Sequence, residues 1–290
     1  MRNFEIDLLE LIRLAACDLP AAVEERLRQA CQQEEEGTSA QITLETILKN
    51  IQMARSQCSP MCQDTGTPIF RVRHPAGFSQ RELQRQIRAA VAEATSRAWL
   101  RPNAVDAISG LNSGNNLGDR YFPEVHFEEV EGESMQVDLI LKGGGCENVS
   151  TQYSLPDEDL QAGRDLEGVR KAALHAVWQA QGEGCAPGFL GIAFGGNRAS
   201  SHLAAKEALM QNMDEENFDL TLAALEAKIT EQANELGIGP MGLGGKTTLL
   251  GTRVVSAHRL PASYFVSIAY MCWAYRHRTM FFENGRVRYE

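Results

Sequence analysis

No apolar run in this chain is long enough to cross a membrane, and there is no low-complexity tract or internal repeat. Cys-x-x-Cys pairs, the commonest local signature of a zinc or redox thiol site, are also missing. Nor is there an excess of cations: 28 Lys and Arg face 38 Asp and Glu, a formal net charge of −10. An acidic chain repels phosphate backbones, which argues against nucleic acid as a partner. A small anionic substrate stays open, because one arginine or lysine can dominate the field in a cleft. Leu14-Ala15-Ala16-Cys17 has the outline of a lipidation site, but Glu5, Asp7, Glu10 and Arg13 precede it where an apolar signal core would stand. The expected compartment is the cytoplasm, where thiols stay reduced. The seven cysteines then read as thiols, metal ligands or catalytic groups rather than disulfides.

What is present is ordinary globular material. The 290 residues suit one large domain or two small ones, and 43% hydrophobic content is enough for a sizeable core. An amphipathic helix is expected at the start, with Leu8, Leu9, Leu11, Ile12 and Leu14 inward. A second runs from Ser39 to about Gln57, with Ile42, Leu44, Ile47, Leu48 and Ile51 on its inner side, and ends before Pro60. Ile69–Val72 reads as a strand, residues 79–98 as a helix capped by Ser79, and residues 101–123 as an Asn- and Gly-rich loop. Residues 124–141 alternate like a hairpin around Gly132. Helices are expected over 166–180, 198–211 and 220–236, buried strands over 189–194, 249–255 and 264–270, and a closing hairpin at Asn284-Gly285. Helices and short strands do not alternate regularly, so the fold class is α+β, helix-rich, with short mixed sheets.

Two glycine-rich patterns in the last quarter imitate nucleotide sites. Gly237-Ile-Gly-Pro-Met-Gly242 matches G-x-G-x-x-G, but a helix precedes it where the dinucleotide motif needs a strand. "GPMGLGGKTT" misses a P-loop because Pro240 stands where the first glycine belongs. The plain reading is a helix stop and a flexible loop; a second is that Lys246 and backbone N–H groups meet a carboxylate.

Cys62, Cys146, Cys185 and Cys272 each lie in a Gly- or Pro-marked loop or at a strand end, whereas Cys17 and Cys31 fall in helices. Cys58 and Cys62 straddle a proline and allow joint zinc ligation without requiring it. Taken alone, scattered thiols are more often plain buried cysteines than metal ligands.

The motifs "CQDTG", "KGGGCEN", "GCAPGFLGIAFGG", "LGIGPMGLGGKTT" and "HRLPAS…CW", in this order, resemble the iron–sulfur hydro-lyases of the class I fumarase and L-tartrate dehydratase family. The resemblance covers nearly the whole chain. It is that of an alpha subunit or N-terminal domain, residues 1–290 forming one such domain, with the beta or C-terminal half absent. It implies a [4Fe–4S] cluster held by Cys62, Cys185 and Cys272, with Cys146 as the spare. Three thiolates leave one iron open as a Lewis acid, where four would saturate the cluster. It further implies that Gln63 and Asp64 contact substrate, that Arg101 pairs with a substrate carboxylate in the bidentate manner of guanidinium, and that Gly144 and Gly145 bring backbone N–H groups to a carboxylate. Lys246 and His258 complete the catalytic candidates with Asp64, although Leu260 stands where many relatives carry a second histidine. His74, His126, His175, His202 and His277 receive no role.

The implied reaction is reversible hydration of a C4 dicarboxylate, fumarate to L-malate in the simplest case, with tartrate dehydration as the alternative and a zinc-stabilised binding module as the non-enzymatic one. A beta partner and a hetero- or homo-oligomer are expected, and neither nucleic acid nor membrane.

Overall fold

The structure, a computed structural model, describes residues 2–290. It is mixed α+β and divides into two compact units. The first comprises the chain up to Ala21, Lys49–Gly144 and Ala274–Glu290; the second comprises Ala22–Leu48 and Gly145–Trp273.

In the first unit, α1 (Glu5–Cys17) and α4 (Gln80–Ser96) pack on a five-stranded sheet. Its strands are β1 (Thr67–His74), β2 (Glu124–Glu129), β3 (Met135–Lys142), β8 (His277–Glu283) and β9 (Arg286–Tyr289), in the order β2-β1-β3-β8-β9. Leu8, Leu11 and Ile12 of α1 and Leu83, Ile87 and Val91 of α4 bury fully against Phe70, Val72, Val137 and Leu139 of the sheet. Burying a side chain of this kind is worth about 1.5–3 kcal/mol. Ser79 caps α4 as the sequence predicts, accepting a hydrogen bond from the Glu82 N–H at 3.3 Å.

Two expectations are corrected. Residues 124–141 do not form a hairpin: β1 lies between β2 and β3, parallel to the former and antiparallel to the latter. Period-two alternation reports that each strand has an inner face, not which strand it pairs with. Ile42 is exposed, while Leu44 and Ile51 are fully buried.

The second unit holds α2 (Ala21–Gln33), α5 (Gly144–Asn148), α6 (Leu166–Ala180), α7 (Arg198–Ala208) and α8 (Leu220–Glu235). Helix α3 (Ser39–Gln57) gives its first half to this unit and its second half to the other. Its sheet has the order β4-β7-β5-β6, from β4 (Thr151–Ser154), β5 (Gly188–Phe194), β6 (Leu249–Ser256) and β7 (Phe265–Met271). Leu190 and Ile192 join the core built with α6 and α8. Gly191, pointing the other way, lets α7 approach so closely that a Cβ would lie 2.1 Å from the Ala205 carbonyl oxygen. With both faces covered, β5 is apolar at successive positions rather than alternating.

Inside the first unit, Asp138 on β3 is 2% exposed and accepts hydrogen bonds from Thr279 Oγ1 (2.8 Å) and Gln136 Nε2 (2.9 Å). His277 Nε2 lies 3.9 Å from the same carboxylate, too far for a hydrogen bond. Burial holds the His277 ring neutral and pushes its pKa down to about 4, with the neighbouring Asp138 pulling it up and Arg278 pulling it down. The unfolded chain takes up this proton near the ordinary value of about 6.5, so stability is full above that pH and falls as pH drops toward 4. The side chain keeps 14% of its surface, which relieves part of the penalty, so the expected loss is about 2–3 kcal/mol. Urea unfolding between pH 7 and pH 4 should show it, and His277→Gln should remove this share of the slope.

Candidate functional site

In the first unit the chain leaves α3 and enters the Cys62 loop under control at both ends. Met61, 4% exposed, donates its N–H to the Ala16 carbonyl at 3.2 Å and accepts from Asn50 Nδ2 at 2.7 Å. Downstream, Gly66 has φ +75° and sits so close to β3 that a Cβ would lie 2.7 Å from the Lys142 carbonyl, so only glycine serves. Between these anchors Cys62 is half-buried, Gln63 exposed and Asp64 half-buried.

Asp64 is bound through both carboxylate oxygens. Oδ1 accepts from the Gly66 N–H at 3.0 Å, an Asx turn, and Oδ2 accepts from the Gly144 N–H at 2.8 Å. Thr65, buried, accepts through Oγ1 from the Arg101 N–H (3.0 Å) and from Asn103 Nδ2 (3.1 Å). The Arg101 guanidinium, exposed to solvent, donates through Nη1 to the Gln63 carbonyl at 3.3 Å. Five residues singled out by sequence, Cys62, Gln63, Asp64, Arg101 and Gly144, are therefore tied to one loop. A thiol and a carboxylate two positions apart stand on this loop, and a guanidinium from 38 positions beyond Gln63 is hydrogen-bonded to it.

Arg276 was missed from sequence. It is 2% exposed, and its Nη1 donates to the Asp64 carbonyl. Its Nη2 would lie 3.3 Å from a Cβ on Gly143, which would also stand 2.8 Å from Asp64 Oδ2. The available signal was an arginine four residues after Cys272, at the end of an apolar run.

In the second unit Cys185 has φ 55°, a left-handed conformation uncommon for a residue with a side chain. Such outliers concentrate where function over-determines the backbone. The glycine-rich stretch holds this turn from behind. Met241 donates its N–H to the Ala186 carbonyl at 2.8 Å, Gly188 donates to the Thr248 carbonyl at 3.0 Å, and a Cβ on Gly182 would lie 2.6 Å from the Met241 carbonyl oxygen. A helix precedes this stretch, and a 3-10 turn (Pro240–Gly242) and a strand follow, so neither nucleotide motif has its context.

Cys272 follows the last residue of β7, is buried, and is succeeded by Trp273, whose N–H points to the Cys185 carbonyl at 3.4 Å. Tyr270, two residues earlier, is 2% exposed and its hydroxyl has no hydrogen-bond partner. Burial pushes its pKa up, and the Cys272, Cys146 and Cys185 thiols nearby push the same way. Leaving a buried hydroxyl unpaired costs about 1–3 kcal/mol, so its place among three thiols needs a reason. Period two on β7 was the missed signal, since it sets positions 270 and 272 on one face.

Other candidates sit apart from these groups. Lys246 Nζ donates to the Gln33 carbonyl at 2.8 Å, and the Lys246 N–H donates to Glu34 Oε1 at 2.7 Å, an arrangement that closes the C-terminal end of α2. His258 is exposed, and its carbonyl accepts from the Gly196 N–H at 3.1 Å. Gly145 is exposed in the first turn of α5. Cys58 accepts from Arg13 Nη1 at 3.8 Å. Burial first, then the neighbouring Cys58, pushes the Cys17 thiol up to about 12. Cys58 thus associates with Cys17 and Arg13, and zinc ligation with Cys62 gains no support. Among the described residues, no three His, Cys, Asp or Glu side chains converge on a point that one metal ion could fill. No described helix is long and apolar enough to cross a membrane.

The chain is thus α+β, with Cys62, Asp64 and Arg101 at one loop of the first unit, and Cys185 in a turn, Cys272 at a strand end and Cys146 in the short helix α5 of the second. The family model described as fumarate hydratase (Fumerase) matches residues 7–281, and the chain belongs to this family. It is 50% identical over 279 residues to the Geobacillus stearothermophilus protein named "Putative fumarate hydratase class I", covering 95% of this chain and 54% of that one. It is 34% identical to the Methanocaldococcus jannaschii "Putative L(+)-tartrate dehydratase subunit alpha", over 92% of this chain and 93% of the relative. It is 30% identical to an Escherichia coli "L(+)-tartrate dehydratase subunit alpha", over 90% of this chain and 85% of the relative. The chain thus spans about half the length of the Geobacillus protein and most of the length of the two alpha subunits.

Arg276→Ala should release the Cys62 loop. The variant loses a hydrogen bond from a charged group and leaves a cavity, a cost of about 3 kcal/mol that urea unfolding would read. Peptide-resolved iodoacetamide labelling should find Cys62 more reactive than in the parent protein, with Cys31 unchanged. Equal Cys62 labelling in the two proteins would refute the clamp.

Proposed function

We propose that this chain is the alpha-type part of an iron–sulfur hydro-lyase that reversibly hydrates a C4 dicarboxylate, fumarate to L-malate. The observation that carries the reading is the Cys62 loop, where the Asp64 carboxylate is held by the Gly66 and Gly144 N–H groups and Arg101 is tied to the Gln63 carbonyl and to Thr65, next in the chain to a thiol. Membership in the fumarate hydratase family supports it.

Cys62, Cys185 and Cys272 would hold a [4Fe–4S] cluster. A four-iron cluster takes each thiolate on a separate iron, so its ligands need not converge as they would on a single ion. The residues fit in donor chemistry, in the left-handed turn at Cys185, and in the unpaired Tyr270 hydroxyl beside the thiols. When bound, the cluster supplies a Lewis-acidic iron for a substrate hydroxyl and carboxylate. The chain's own groups do the rest. Arg101, whose fork has donors beyond the one given to the Gln63 carbonyl, pairs with a substrate carboxylate. Gln63 hydrogen-bonds the substrate beside it, and the Gly145 N–H faces negative charge as it develops, the Gly144 N–H being taken by Asp64. Asp64 is placed to receive or return a proton at its carboxylate, with Gly144 fixing Oδ2. His258 is exposed and free to meet a substrate or partner, whereas Lys246 would first have to leave the Gln33 carbonyl.

A second reading, L-tartrate dehydration, draws on the alpha-subunit relatives, which the chain matches over most of their length. Either enzyme would work in the cytoplasm, where its thiols stay reduced, and would need a beta partner carrying the remaining catalytic groups.

The test is iron and acid-labile sulfide per chain after anaerobic purification. About four irons are expected, lost in Cys62→Ser, Cys185→Ser and Cys272→Ser and kept in Cys146→Ser. Fumarate hydration should be near zero for the chain alone and appear when a beta chain is added, with Arg101→Ala then raising KM. Competition between fumarate and tartrate ranks the two substrates. A protein that takes up no iron on anaerobic reconstitution would refute the cluster, and full activity without a partner would refute the beta requirement.

A further inference from the structure

Tyr270 is a buried phenol for which the fold has cleared space without providing an acceptor. The side chain is 2% exposed and its hydroxyl makes no hydrogen bond, whereas buried tyrosines as a rule find a partner. The cleared space is specific. A Cβ on Gly184 would stand 2.5 Å from the ring's Cε1, and one on Gly188 would stand 2.4 Å from Oη. These glycines flank Cys185, one residue before it and three after. The backbone on both sides of Cys185 is therefore bare where the phenol packs against it. The main chain of Tyr270 is fixed as well. The Tyr270 N–H donates to Ser150 Oγ at 3.0 Å, and that hydroxyl donates to the Cys146 carbonyl at 2.7 Å. Leu190 lies opposite Tyr270 on β5. Were the ring there only to fill volume, phenylalanine would fill it without leaving a polar atom unpaired.

We propose that the Tyr270 hydroxyl is a hydrogen-bond donor to sulfur in the iron–sulfur group at Cys185 and Cys272, either a cysteine thiolate or a cluster sulfide. The inference rests on the cluster reading above and assigns the tyrosine a task that reading does not contain. Such a bond favours the more negative state of the group, so it raises the reduction potential. It also makes the apo protein carry an unpaired donor that loading satisfies.

Tyr270→Phe removes one oxygen and tests both consequences without an activity assay. In the iron-free state the variant should melt about 2–4 °C above the parent, because an unpaired buried hydroxyl is gone. After anaerobic reconstitution to equal iron content, that advantage should vanish or reverse. The potential from an EPR-monitored redox titration should be lower than the parent's, and bleaching by dioxygen several-fold faster. A variant that keeps the same melting advantage in both states, with an unchanged potential, would overturn the assignment and leave the cluster reading standing. A variant that fails to fold without iron would also overturn it, since the hydroxyl would then be bonded within the protein. A parent protein that takes up no iron would overturn the cluster reading itself and this inference with it.

Discussion

The guanidinium of Arg276 lies almost wholly out of water, and a buried cation is stable only while its N–H groups have oxygen to bind. One of those oxygens is the Asp64 carbonyl. The Cys62 loop is therefore more than a surface turn that happens to hold a thiol. Its main chain is an acceptor for a charge the interior must satisfy, and its position is set by that demand. The Asp64 side chain then fixes Gly66 and Gly144, and Thr65 fixes the start of the loop that carries Arg101 and Asn103. Each group with chemistry to offer inherits its place from a backbone held at several points.

The second unit reaches a similar end with different means. Its sheet is covered on both faces, so rigidity comes from packing, and the loop with Cys185 leans on the glycine-rich stretch. Those glycines resemble a nucleotide cradle in sequence alone. Their work is steric: Gly182 lets the Met241 carbonyl approach, and Gly184 and Gly188 admit the Tyr270 ring. Lys246, attractive as a cation beside glycines, serves the end of α2.

Much of this was legible in the sequence because it rests on local signals. Ser79 as a cap, the helix over 166–180, Asn284-Gly285 as a hairpin turn and the end of α3 before Pro60 all follow from residue chemistry within a few positions. Cys62, Cys185 and Cys272 were separable from Cys17 and Cys31 by their neighbours, whereas Cys146, expected in a glycine-marked loop, lies in the short helix α5. What could not be read depends on residues far apart in the chain. The insertion of β1 between β2 and β3 is a pairing choice that alternation does not encode. Arg276 looks like a surface arginine until the fold buries it, and Tyr270 looks like one more apolar strand residue until its hydroxyl is found unpaired. Ile42 fits the helical stripe yet faces water, since a stripe marks a face and not its width.

The clamp on Asp64 comes from a residue 212 positions later, just before β8, the strand beside β3. The Cys62 loop already has partners earlier in the chain, the Ala16 carbonyl and Asn50, but its guanidinium clamp comes from far downstream. The second unit, whose segments end at Trp273, has all its strands before Arg276 appears. Closing a contact across so long a loop is entropically costly. The segments that carry Cys185 and Cys272 thus lie within one stretch of chain, whereas the Cys62 loop depends on a residue that follows both of them.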